Sequence, residues 1–153
     1  MTQAFRQTIA ELWRRAELGT PLFAADGSTS LNFDDVTLQL TTSPNEEELL
    51  VNADIGPLTD GLAADADRLQ KILGLGFAFL ATHDVLVSLD RDRLVVSGSY
   101  PLRAQDMARL SDILSDVVSA AETLARLMDH HASMPVQDTE PAGYDPGVMI
   151  FQP

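Results

Sequence analysis

VLVSLDRDRLVVSGSYPL, Val85 to Leu102, sets two apolar alternating runs on either side of four charges, Asp90, Arg91, Asp92 and Arg93. Val85, Val87 and Leu89 share one face of an extended segment, and Leu94, Val96, Gly98 and Tyr100 share one face of another. Two β-rich runs parted by about four polar residues signal a hairpin. The competing reading is a metal-binding Asp-x-Asp with an arginine clamp. A hard cation needs several oxygens converging from separate parts of a fold, and two carboxylates at a hairpin tip supply too few. The charges are therefore read as a solvated turn, and the rest of the chain is placed around a hairpin.

Downstream of it, Met107, Leu110, Leu114, Val117, Ala121, Leu124 and Met128 recur at spacings of three and four between Ala104 and Asp129, widened by Ile113, Val118 and Leu127. This is the pattern of a long amphipathic helix. Upstream, Leu62, Ala66, Leu69, Ile72 and Leu73 keep helical spacing over Asp60 to Leu73. The run ILGLGFAFLA, Ile72 to Ala81, is far shorter than the roughly 20 residues that span a bilayer, and it reads as core. Before that, Leu49, Val51, Ala53 and Ile55 alternate through a strand that Gly56 and Pro57 end. Leu31 and Phe33, then Val36, Leu38 and Leu40, alternate on either side of Asp34 and Asp35, as two short strands or one bent strand. Phe5, Ile9, Leu12, Trp13 and Ala16 form one face of a helix over Thr2 to Leu18, with Gly19 and Pro21 as its stop.

This order predicts an α+β domain over residues 1–129: helix, three-stranded antiparallel segment, helix, β-hairpin, long C-terminal helix. Residues 130–153 hold four of the eight prolines and little periodicity, and are read as an acidic, mobile tail. The tail carries the apolar tetrad Val148, Met149, Ile150 and Phe151, either tucked back onto the domain or offered to a partner.

The chain of 153 residues has 23 acidic against 10 basic side chains, a net charge of −13. Such a surface repels phosphate backbones and anionic headgroups, so neither nucleic acid nor a membrane surface is expected as partner. There is no cysteine, which removes thiol catalysis and thiolate metal sites and fits a reducing compartment. The opening MTQAFRQTIAELWRR lacks the apolar run of a secretory signal. His83 beside Asp84 is half of an acid–base pair, but the chain offers no Gly-x-Ser-x-Gly turn and no thiol as nucleophile, and a turn histidine before a strand is the preferred reading. His130 and His131 are adjacent, so on a helix they diverge by about 100° and do not share a metal. GLGFAF at Gly74 follows a helix, where a nucleotide-binding loop would follow a strand. No catalytic, cofactor-binding or metal constellation survives, and a hydrolase using His83 is the most distant alternative.

The run LQKILGLGFAFL (Leu69 to Leu80), the hairpin, the helix beginning AQDMARLSDILSDVV, and the early strands LNF, VTLQL and LLVNADI stand in a familiar order. From Phe5 to Met128 the chain resembles the effector chaperones of bacterial type III secretion systems, the class I, Tir/CesT-type family. Gly76 departs from it, standing where members often carry an asparagine. The resemblance implies an acidic, cytoplasmic bacterial homodimer that holds the N-terminal segment of a secreted effector in extended form without ATP. It also implies the ATPase of the export machinery as a further partner. The alternative function is an adaptor of the same shape that binds a folded protein. On the chaperone reading, the partner-binding groove is expected on Phe5, Ile9, Leu12 and Trp13 of the first helix and Leu31, Phe33, Leu38 and Leu40 of the first strands. The dimer interface is expected, by analogy with the family, on Leu69, Ile72, Leu73, Val85 and Val87.

Overall fold

The computed structural model describes residues 2–58 and 66–129. Within them the elements are α1 (Gln3–Arg15), β1 (Thr29–Phe33), β2 (Val36–Thr42), β3 (Glu48–Pro57), α2 (Ala66–His83), β4 (Leu86–Asp90), β5 (Arg93–Pro101) and α3 (Met107–Asp129). All strand pairs are antiparallel and the sheet order is β1-β2-β3-β5-β4, which leaves β1 and β4 as edges. The predicted α+β order is the observed one. Asp34, with φ of 47°, turns β1 into β2, so LNFDDVTLQL is two strands. The charged knot closes β4 onto β5: Asp90 pairs with Arg93 across the turn, and Arg93 Nε donates to Asp54 Oδ2 of β3 at 2.6 Å.

One face of the sheet makes the core. Leu31, Leu38, Leu40, Leu49, Val51, Ala53, Leu94, Val96 and Tyr100 are buried on it, as strict alternation across matched registers requires. α1 lays Phe5, Ile9, Leu12 and Trp13 on this face. Its start is fixed by Thr2, whose hydroxyl oxygen accepts from Phe5 N at 3.3 Å. α3, 23 residues long, covers β3 and β5 with Leu110, Leu114, Val117, Ala121 and Leu124. It approaches closely at Gly98, where an added Cβ would lie 2.8 Å from Ile113 Cγ2 and 3.0 Å from Val117 Cγ2. Asp106 starts α3 by accepting from the amides of Ala108 and Arg109. Arg68 of α2 ends it, donating to the carbonyls of Leu127 and Met128.

The second helix departs from the sequence expectation. Asp60 to Leu73 was its predicted span, whereas α2 runs on through Gly74 and Gly76 to His83. Each glycine costs a helix about 1 kcal/mol, but packing of α2 against β4 and α3 outweighs that intrinsic penalty. His83 accordingly closes a helix, and Asp84, with φ of 54°, makes the turn into β4. Leu62, His130, His131 and the tail lie outside the described residues.

Tyr100 is fully buried, and its hydroxyl has no hydrogen-bond partner among the described residues. An unpaired buried hydroxyl carries a desolvation cost of about 1–3 kcal/mol. Tyr100→Phe should therefore leave stability unchanged or raise it by about 1 kcal/mol in urea unfolding. A loss of more than about 1 kcal/mol would mean that the hydroxyl is satisfied after all.

Candidate functional site

The structure separates the eight residues expected to form a binding groove. Phe5, Ile9, Leu12 and Trp13 are buried under α1, and Leu31, Leu38 and Leu40 are buried beneath them on the sheet. These seven fill the subunit's own core rather than an open ledge. The cause is geometric: the apolar stripe of α1 and the apolar face of β1 and β2 belong to one buried cluster. Only Phe33 is left open, 39% exposed where β1 ends at the Asp34 turn and the core runs out. Leu18 and Leu22, between α1 and β1, are exposed as well. Among the described strands β1 has a neighbour on one side only.

A second apolar surface is larger and continuous. Leu73, Phe77 and Leu80 project from α2 at spacings of four and three, and Leu86 and Leu89 project from β4. These are five of the eight exposed large apolar side chains among the described residues. Between them runs a groove lined also by Leu58, Leu69, Ile72, Gly76, Val87 and Leu94. Gly76 favours it: a Cβ there would sit 3.1 Å from Val87 Cβ, so any larger residue would require Val87 or α2 to give by a few tenths of an ångström. Of the residues expected at a dimer interface, Leu73 is exposed, Leu69 and Val87 are half-buried in the groove wall, and Ile72 and Val85 are inside the core. Phe77, Leu80, Leu86 and Leu89 were not anticipated. The signal was present in Leu73, Phe77 and Leu80, which share one face once the helix is continued through the glycines.

A family model described as Tir chaperone protein (CesT) matches residues 7–125, which span every element of this sheet and groove. The chain belongs to that family. No curated protein matches it by sequence. Among solved structures it is similar to the HopA1–SchA chaperone–effector complex, with a TM-score of 0.67 at 15% identity, covering 80% of this chain and 94% of the other. It is similar also to the ExoT–SpcS complex from Pseudomonas aeruginosa, with a TM-score of 0.59 at 22% identity and coverage of 81% and 99%. The Yersinia pestis type III secretion chaperone SycH, solved with a fragment of YscM2, gives 0.60 at 19%, with coverage of 78% and 98%. At these identities the likeness establishes the fold.

The polar features of this family member form no reaction centre among the described residues. His83 Nδ1 lies 3.2 Å from Asp116 Oδ1, tying the end of α2 to α3, and both side chains are partly exposed. Around them are Thr82, Asp84, Arg109 and Asp112, none of which supplies an activated nucleophile. Among the described residues no three His, Cys, Asp or Glu side chains converge as metal ligands. On α1, Glu11 accepts from Arg14 and Arg15 at 2.7 to 2.8 Å, and these bonds hold its carboxyl down to about 2. The face of the sheet opposite the core is polar, with Asn32, Thr37, Gln39, Asn52 and Ser97 across it, and Ser97 Oγ donates to Asn52 Oδ1 at 2.8 Å. Among the described residues no helix is long and apolar enough to cross a membrane.

Proposed function

We propose that this chain is an ATP-independent chaperone that binds the N-terminal segment of a type III secreted effector in extended form and aids its delivery for export. The observation that carries the reading is the family match over residues 7–125, laid on a sheet whose first strand is an open edge. An edge strand offers unpaired backbone donors and acceptors to an extended guest, and Phe33 at its end and Leu22, whose carbonyl accepts from the Thr29 hydroxyl, offer apolar anchors. Phe33 is thus the member of the expected groove that a guest would touch directly, while Phe5, Ile9, Leu12, Trp13, Leu31, Leu38 and Leu40 support the surface from below.

A second copy of the chain covers the α2–β4 groove. Leu73, Phe77, Leu80, Leu86 and Leu89 make the apolar contact, with Leu69 and Val87 at its base and Ile72 and Val85 holding the two elements together. The chaperone is not an enzyme, works in the bacterial cytoplasm, and passes its client to the ATPase of the export machinery. Its charge of −13 keeps a molecule with apolar surface soluble and draws basic stretches of a client.

Purification from the cell of origin, with mass spectrometry of what is bound, tests the reading. A secreted protein held through its N-terminal segment is the expected result. Recovery of only a folded, non-exported partner would favour an adaptor and contradict the chaperone.

A further inference from the structure

We infer that Val148–Phe151 of this same chain is a tethered occupant of the α2–β4 groove, competing with the second copy and so setting how tightly the chain pairs. The inference rests in part on the self-association reading given above, and concerns the same surface.

Three observations point to it. The last turn of α3 is tied to α2 one residue before the groove lining begins: Arg68 Nε and Nη2 donate to the Leu127 carbonyl at 3.0 and 2.7 Å, and the next residue, Leu69, lines the groove with Leu58. Residues 130–147 then separate α3 from the tetrad. A random coil of that length would span roughly 20–25 Å on root-mean-square average. The groove along α2, from Leu69 to Leu80, is about 16 Å long at the helical rise, so all of it is within reach. The chemistry also matches. Among the described residues no charged side chain lines the groove, and Ser88 is its one polar side chain. The segment between α3 and the tetrad carries Asp138, Glu140 and Asp145, whereas Val148, Met149, Ile150 and Phe151 are uniformly apolar. The groove therefore selects the tetrad over the rest of the tail.

Tethering makes even a weak fit effective. A short flexible linker gives an effective concentration on the order of millimolar, so a tetrad with a millimolar intrinsic affinity fills the groove half of the time. Pairing needs both grooves clear, and self-association is then weakened about fourfold.

The test compares the full chain with its Ile150→Asp, Phe151→Asp variant, after thermal unfolding has shown both to be folded. Sedimentation equilibrium should give the variant a dimer dissociation constant at least about threefold lower. The two added charges themselves oppose pairing, so the comparison is biased against this outcome. An unchanged or higher constant overturns the inference. If neither chain self-associates, the pairing reading fails by itself, and hydroxyl-radical oxidation of Leu73 and Phe77 decides the inference. Severalfold faster oxidation in the variant supports tail docking, and equal rates overturn it.

Discussion

On the pairing proposed for the α2–β4 groove, Leu73→Asp combined with Phe77→Asp is expected to yield a folded chain that sediments at 16.6 kDa, and the parent is expected to sediment at twice that mass. The two side chains are 71% and 74% exposed, so their loss removes little from the subunit's own core. Exposed substitutions of this kind usually change stability by no more than about 0.5 kcal/mol. In a paired groove the same carboxylates would be taken out of water opposite apolar side chains, at a cost of several kcal/mol per ion. A loss of about 4 kcal/mol corresponds to roughly a thousandfold in dissociation constant, which empties the dimer at micromolar concentration. A variant that stays dimeric would put the pairing surface elsewhere. Ile72→Asp is the contrasting change: Ile72 is buried, and the chain should fail to fold.

Trp13→Ala should cost about 3–5 kcal/mol in urea unfolding, a large share of the roughly 5–15 kcal/mol that holds such a domain together. Trp13 is buried with Phe5, Ile9 and Leu12 in the cluster that joins α1 to the sheet, and its removal leaves a cavity that the neighbouring side chains fill only in part. Phe33→Asp, at the open end of β1, should instead change stability by less than about 1 kcal/mol and weaken capture of a client segment. The pair of variants separates support from contact. If Trp13→Ala were as stable as the parent and lost its client, α1 would be an open ledge and the packing described here would be wrong.

The hairpin, the order of elements and the stripe of α3 were legible because each is a local periodicity with a local stop. Val85 to Tyr100 alternates about a charged turn, and Met107 to Leu124 keeps a helical step without interruption. The length of α2 was not legible, since Gly74 and Gly76 lower helical propensity and only the approach to Val87 explains why one of them belongs there. The burial of seven of the expected groove residues was not legible for a different reason. Periodicity identifies an apolar face on α1, β1 and β2, yet says nothing of what covers it. Two apolar faces in one chain seal each other before either is free for a guest, so Trp13 and Leu40 went inward. The exposed stripe Leu73, Phe77 and Leu80 was hidden within a run whose apolar content reads as core. What marks it as surface is that α2 covers only the end of the sheet, beside the short edge strand β4.

Amide hydrogen exchange on the full chain, with and without the N-terminal segment of the secreted protein that co-purifies with it, is the most direct test of the chaperone function. Slower exchange is expected along the edge strand Thr29–Phe33, from a segment with no folded structure of its own. No slowing anywhere with that segment, and slowing only when a folded domain is added, would contradict it.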